Sequence, residues 1–130
     1  MKKSIALAVL MSLTSFAHAS AEECDGSNLE MKVCIGRQYD KADKELNAAY
    51  KKTQAAVKQA DSYVGGNETS TRLIAAEKAW IQLRDTSCNL ESAQMLGGSG
   101  ESLIYVGCLL RKTQERTTEL NDLTKIFSGN

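Results

Sequence analysis

The chain of 130 residues carries 16 basic and 16 acidic side chains, so its formal net charge at neutral pH is zero. This balance lacks the excess of lysine and arginine that is typical of nucleic-acid-binding proteins, and we expect no nucleic-acid partner. A chain of this length fits a single domain.

The N-terminal segment has the pattern of a secretory signal peptide. Lys2 and Lys3 precede an apolar run over residues 5–16, and Ala17-His18-Ala19 offers the small residues of a cleavage site. We predict cleavage after Ala19, with Ala21 as the alternative, so that residues 1–19 are the signal and residues 20–130 the mature domain. Without the signal, the chain is weakly acidic.

The same segment bears on membrane attachment. Its apolar run is too short to span a bilayer permanently, although a retained N-terminal anchor is the alternative reading. Lipid attachment needs a small residue directly before the modified cysteine, whereas Cys24 follows Glu22-Glu23. We therefore predict a periplasmic protein with no stable membrane anchor, and secretion from the cell as the alternative.

The first helix is predicted from Ser27, which with Glu30 fits a capping box. Gly36 could interrupt it, and Gly65 and Gly66 supply a left-handed cap at its end. Its apolar positions recur at helical spacing. They are Ile35, Tyr39, Ala42, Leu46, Ala49, Thr53, Val57 and Ala60.

Two more helices follow. The second starts among Thr69, Ser70 and Thr71, any of which could cap it. Its predicted apolar stripe is Leu73, Ala76, Trp80, Leu83 and Ser87. After the glycines at 97–100 the third helix carries Leu103, Val106, Leu110, Thr113, Thr117, Leu120 and Phe127. Short loops between long helices predict an all-α fold, a small antiparallel bundle of three to four helices.

The four cysteines all lie in the mature part, and an even count in an exported chain predicts two disulfides. Zinc is the competing reading, but the cysteine spacings match no zinc pattern, and the only histidine, His18, lies in the signal. Bundle geometry alone does not choose among the three connectivities. We predict local pairing, in which Cys24–Cys34 locks the N-terminal arm and Cys88–Cys108 closes the glycine loop. We expect no metal and no cofactor.

The lack of histidine in the mature chain excludes Ser–His and Cys–His catalysis, and we expect a protein that is not an enzyme. Paired carboxylates are conceivable, as Asp40 with Asp43 or Glu77 with Asp85. Each has a basic neighbour at helical spacing, so structural pairing is the preferred reading.

A polar set lies close to the apolar stripes. We predict a half-buried network in which Arg84 and Arg116 pair with Asp43 and Asn47 around Trp80, because buried charges require partners. Asp85 follows Arg84 and joins this set. The alternative makes the face that carries Tyr39, Asp43, Tyr50 and Arg84 a recognition surface, since tyrosine and arginine often anchor interfaces.

Four parts of the chain form a combined motif: SNLEM before Cys34, YDKADKELNAAY at 39–50, AEKAWIQLRDTSC at 76–88, and Cys108 with Thr113, Arg116 and Leu120. Together they resemble the LprI-like family of exported bacterial domains. The resemblance covers about residues 24–123. It implies a disulfide-bonded helical domain in the periplasm or at the cell surface, inhibition of lysozyme as the named activity, and no catalytic residues.

The leading functional hypothesis is therefore a periplasmic inhibitor that binds lysozyme or a related peptidoglycan-cleaving enzyme. We call residues 97–102, Gly-Gly-Ser-Gly-Glu-Ser, the glycine loop, and predict that Ser99, Glu101 and Ser102 enter the enzyme's cleft. A plain helix connector is the alternative reading of this loop. The competing functions are an envelope accessory or structural partner protein that docks through the face of Tyr39, Asp43, Tyr50 and Arg84, and an immunity protein that neutralises a toxin.

Overall fold

The computed structural model describes residues 23–129, so the predicted signal peptide and its cleavage sites lie outside the described residues. The first helix, α1, spans Asn28–Val64 and begins at the predicted capping box. Ser27 Oγ accepts from the Glu30 amide at 3.4 Å, and the Glu30 carboxylate accepts from the Ser27 amide at 2.8 Å. The helix ends at Gly65, whose φ of 74° is left-handed as predicted.

The expectation that Gly36 could interrupt α1 was wrong, since the helix runs through it without a break. A glycine inside a helix costs only about 1 kcal/mol relative to alanine. The regular apolar stripe that follows supplies far more than this by burying one face of α1. Leu46, Ala49, Thr53 and Val57 from the predicted stripe are all buried.

The second helix, α2, spans Glu68–Ser92, and the cap of its first turn comes from α1. The carboxylate of Asp61 accepts from the amides of Thr69 and Ser70, each at 2.9 Å, and from the Ser70 hydroxyl at 2.6 Å. These bonds, with the Ser70 hydroxyl making the largest contribution, lower the pKa of Asp61 from 3.8 to about 2. The predicted capping role of Thr69, Ser70 or Thr71 is thus corrected: Asn67 holds the cap position without a side-chain bond, and Asp61 accepts the free amides.

A short 3-10 helix, Ala93–Met95, follows α2, and the third helix, α3, spans Glu101–Ser128. Helices α1 and α3 run in the same direction. Helix α2, which lies between them in the sequence, runs antiparallel to both. The side chain of Asn28 meets Ser99 at one end, and Thr53 donates to the carbonyl of Leu120 at 2.9 Å further along. Within residues 23–129 the fold is all-α, with three long helices and no strand, as predicted.

The core forms two clusters along the bundle. The larger is centred on Leu46, Val57, Leu73 and Leu120, and the half-buried ring of Trp80 packs against it. The smaller contains Cys88, Cys108 and Leu109. The predicted stripe of α2 was only partly correct, because Ala76 and Leu83 are exposed while Glu77 is buried. On α3, Phe127 is also exposed, and Leu109 enters the core although it was not predicted.

Both predicted disulfides are present with the predicted local pairing. Cys24 is bonded to Cys34 and Cys88 to Cys108, with Cα–Cα distances of 5.7 and 5.5 Å. The zinc reading is therefore wrong, because every cysteine is oxidised. None of the helices in the described part of the chain is long and apolar enough to cross a bilayer.

Candidate functional site

The glycine loop lies where the start of α1, the end of α2 and the start of α3 meet. Its backbone is held by hydrogen bonds from three directions. The Gly97 amide donates to the Glu101 carboxylate at 2.8 Å, the Gly98 amide to the Met95 carbonyl at 2.7 Å, and Asn28 to Ser99 Oγ at 3.3 Å. The loop is thus rigid at its base, and the Cys88–Cys108 bond ties together the helices on either side of it.

The structure corrects the extent of this loop. Glu101 and Ser102 belong to the first turn of α3, so only residues 97–100 are connector. Glu101 is engaged within the loop, because its carboxylate fixes Gly97. Ser99 and Ser102 are exposed, and Gly100 occupies the cap position of α3 without a side-chain capping bond. The amide of Glu101 donates to the Gly98 carbonyl at 3.2 Å, whereas those of Ser102 and Leu103 donate to no acceptor in the described residues and lie at the positive end of a helix.

A polar pocket of about 390 Å³ opens beside the loop. Nearly all the groups that line it can form hydrogen bonds through a hydroxyl, an amide or a carboxylate. They are Asn89, Ser92, Gly98, Ser99, Glu101, Ser102 and Tyr105. The sequence prediction included the two loop serines and Glu101 and missed Asn89, Ser92 and Tyr105. Asn89 and Ser92 lie one turn apart at the end of α2, directly after Cys88. Their position next to a cysteine at the loop end of the helix is the feature of the sequence from which they could have been predicted.

The predicted polar network exists with different partners. Arg116 donates from Nε and Nη2 to Oε2 of Glu77, at 3.1 and 2.9 Å, and from Nη1 to Glu119. Arg84 donates to Asp85 at 2.8 Å. The expected pairing of Arg84 and Arg116 with Asp43 and Asn47 was wrong.

The side chain of Asn47 turns back along its own helix. It donates to the carboxylate of Asp43 at 3.1 Å and to the carbonyl of the same residue at 2.9 Å. Since Asn47 follows Asp43 by one helical turn, this local contact satisfies the carboxylate without an arginine from another helix.

Trp80 lies between the two arginines. The guanidinium carbon of Arg84 is 5.1 Å from the ring centroid and that of Arg116 is 5.8 Å away, both within the range of cation–π attraction. Burial would lower the pKa of Arg116, but hydrogen bonds to Glu119 and Glu77 outweigh it and raise the pKa above its usual value. Arg116 therefore stays charged in a half-buried site.

Three of the four carboxylates considered for acid–base chemistry are engaged, and the fourth, Asp40, is exposed on α1. Glu77 pairs with Arg116, Asp85 with Arg84, and Asp43 accepts from Asn47. The arrangement suits a structural network and recognition by hydrogen bonds.

Three of the four residues of the alternative recognition surface line one groove, and Tyr39 does not. Asp43, Tyr50 and Arg84 line a groove of about 340 Å³ between α1 and α2. We call it the α1–α2 groove. Its lining is Asp43, Leu46, Asn47, Tyr50, Ile74, Glu77, Lys78, Ile81 and Arg84. Tyr39 packs further along against the Cys88–Cys108 cluster, where burial raises the pKa of its phenol.

The fold and these sites define a small helical domain with two disulfides, a rigid hydrogen-bonding loop at one end and a groove along one side. Residues 19–120 match the model of the family described as Lysozyme inhibitor LprI, and the chain belongs to this family. The recognition made from the sequence motifs is thereby confirmed.

Two relatives extend this result. The chain is 34% identical over 127 residues to Uncharacterized protein R02472 of Rhizobium meliloti (strain 1021), an alignment that covers 91% of each chain. It is 26% identical over 98 residues to Uncharacterized protein YecT of Escherichia coli (strain K12), covering 69% of this chain and 60% of that protein. No solved structure matches the chain.

Proposed function

We propose that this protein is a periplasmic inhibitor that binds lysozyme, or a related peptidoglycan-cleaving enzyme, and blocks its substrate cleft with the glycine loop. The family description supports the activity. The observation that carries the choice of loop is its ordered conformation, held by hydrogen bonds from the Gly97 and Gly98 amides and by the contact of the Ser99 hydroxyl with Asn28. A loop that is already ordered loses less conformational entropy when it binds.

The chemistry of the loop fits the target. Glycosidases of this kind act through two carboxyl groups on either side of the scissile bond. The loop and the first turn of α3 offer the hydroxyls of Ser99 and Ser102 and the amides of Ser102 and Leu103, all of which can donate to a carboxylate. In this proposal the inhibitor occupies the position of the substrate and performs no chemistry itself, so it is not an enzyme.

The experiment is a cell-wall lysis assay with purified protein titrated against several lysozymes. The wild type should inhibit at a stoichiometric ratio. The double variant Ser99→Ala/Ser102→Ala removes two donors while leaving the Glu101–Gly97 bond intact, and it should weaken inhibition about ten-fold or more, with unchanged helical content. Thr118→Ala, which removes an exposed hydroxyl elsewhere on α3, is the matched control and should inhibit like the wild type.

Two outcomes would change the proposal. If Tyr50→Ala abolishes inhibition and the serine variant does not, the interface lies on the α1–α2 groove and the loop is only a connector. If an excess of protein inhibits none of the lysozymes, the inhibitor function is wrong. The accessory-protein hypothesis would then lead, because the structure gathers Asp43, Tyr50 and Arg84 in one groove where a partner could dock.

A further inference from the structure

The α1–α2 groove contains an arginine, Arg84, whose guanidinium group has donors that form no hydrogen bond with the described residues. The side chain of Arg84 is 11% exposed, and one face of its guanidinium lies over Trp80. Its Nε donates to Asp85. Within residues 23–129, neither of its two terminal Nη groups donates a hydrogen bond to the protein, although the residue lines the groove.

This arrangement differs from that of the neighbouring arginine. Arg116 uses Nε, Nη1 and Nη2 on Glu77 and Glu119, so its guanidinium is saturated by the protein. Arg84 is oriented by Trp80 on one face and by Asp85 at Nε, and its two Nη groups donate to no other group in the described residues. A fixed guanidinium edge with free N–H donors matches the two oxygens of a carboxylate.

The other groups in the groove suit a peptide. Within the described chain, Asn47 Oδ1 accepts no hydrogen bond and the Tyr50 hydroxyl makes none, so both can meet amide groups of a ligand. Ile74 and Ile81 remain 41% and 42% exposed at the groove, where they can cover an apolar side chain. Of the other charged groups in the groove, Glu77 is paired with Arg116 and Lys78 is positive, while the negative charge of Asp43 disfavours a doubly charged phosphate relative to a singly charged carboxylate.

We infer that the α1–α2 groove is a second binding site, separate from the glycine loop, for the free carboxyl end of a peptide with an apolar side chain. Arg84 binds the terminal carboxylate, and Asn47 and Tyr50 bind the adjacent amides. The site does not depend on lysozyme binding, since none of its residues belongs to the glycine loop or to the pocket beside it.

Trp80 provides a direct readout, because it is the only tryptophan of the chain and it touches Arg84. The probe is N-acetyl-Ala-Ala-Leu with a free carboxyl end, titrated into the full-length mature protein while tryptophan fluorescence is followed. We expect a saturating change with this acid and binding at least about ten-fold weaker with its C-terminal amide. Inorganic phosphate should not displace the acid.

Variants test whether the fluorescence change arises from binding in the α1–α2 groove. Arg84→Gln should abolish binding of the acid, and Arg84→Lys should weaken it because a lysine cannot present a planar fork. Arg111→Gln removes an exposed arginine from the surface of α3, and with Ser99→Ala/Ser102→Ala it should leave binding unchanged. Equal affinity for acid and amide, or displacement by phosphate, would overturn the inference. The comparison of acid and amide uses the wild type alone, so it decides the question even if a variant fails to fold.

Discussion

The pair formed by Glu77 and Arg116 gives the sharpest test of how the bundle is held together. Their side chains are 12% and 11% exposed, and two hydrogen bonds join them between α2 and α3. Removing one partner of a buried pair leaves an uncompensated charge, whereas replacing both by apolar residues of similar size is often neutral. Glu77→Leu and Arg116→Met, singly and together, separate these two cases.

The contacts of each partner determine the expected losses in the free energy of unfolding. Glu77→Leu should destabilise the fold by about 3 kcal/mol, near the lower end of the range for such a loss, because Glu119 still neutralises Arg116. Arg116→Met strands Glu77 and removes one contact with Trp80, for a loss of about 3–5 kcal/mol. The double variant should be more stable than either single variant, with a coupling energy of about 3 kcal/mol or more.

Denaturant unfolding, followed by far-ultraviolet circular dichroism with the disulfides intact, measures all four free energies of unfolding. The control cycle uses Glu68 and Arg72 on α2, which also pair at 2.6 Å but are both 78% exposed. That pair should couple by about 0.5 kcal/mol or less. If the losses of Glu77→Leu and Arg116→Met simply add, the pair contributes nothing and the account of the network is refuted.

Three further predictions concern stability. The stability that Asp61 contributes should be complete above its unfolded pKa near 3.8 and should be lost as the pH falls towards its folded pKa of about 2. In Asp61→Asn, the free energy of unfolding should therefore change less over that pH interval than in the wild type. An unchanged acid denaturation curve would contradict the helix-capping role. Replacing Cys88 and Cys108 by alanine should lower the free energy of unfolding by about 3 kcal/mol, measured by denaturant titration, while helical content persists; loss of all helix would contradict this. Thr113 is fully buried, and its hydroxyl has no partner in the described chain, so Thr113→Val should leave the melting temperature unchanged or raise it, and a marked drop would reveal a missed contact.

The features predictable from the sequence were the local ones. The capping box of Ser27 and Glu30 involves residues three apart, and the end at Gly65 depends on one residue's access to the left-handed region. The disulfide pairing followed from a preference for short loops. Each of these predictions depends on residues that are close together in the sequence, so it does not require knowledge of how the helices pack.

Apart from the local errors at Gly36 and in the extent of the glycine loop, the wrong predictions concern places where one helix meets another. The cap of α2 comes from Asp61, which belongs to the preceding helix and lies outside any local capping motif. The choice of Glu77 over Asp43 as the partner of Arg116 depends on the rotation of α2 about its axis. That rotation is weakly encoded, because α2 carries exposed apolar residues such as Leu83 as well as the buried Leu73.

The candidate sites also have some features that the sequence predicts and others that depend on the packing of the helices. The glycine loop stands out in the sequence, but the engagement of Glu101 with Gly97 requires the folded turn. The groove could be anticipated from Asp43, Asn47 and Tyr50 on one face of α1. The free edge of Arg84 could not, since it depends on which carboxylate each arginine reaches.

The central claim is that the glycine loop occupies the substrate cleft of a lysozyme. The most direct measurement is the affinity of the purified protein for immobilised lysozyme, with and without a soluble chitooligosaccharide that saturates the cleft. We expect the oligosaccharide to compete with the inhibitor and Ser99→Ala/Ser102→Ala to weaken the complex. A complex whose affinity is the same with the cleft filled, or the absence of any complex, would contradict it.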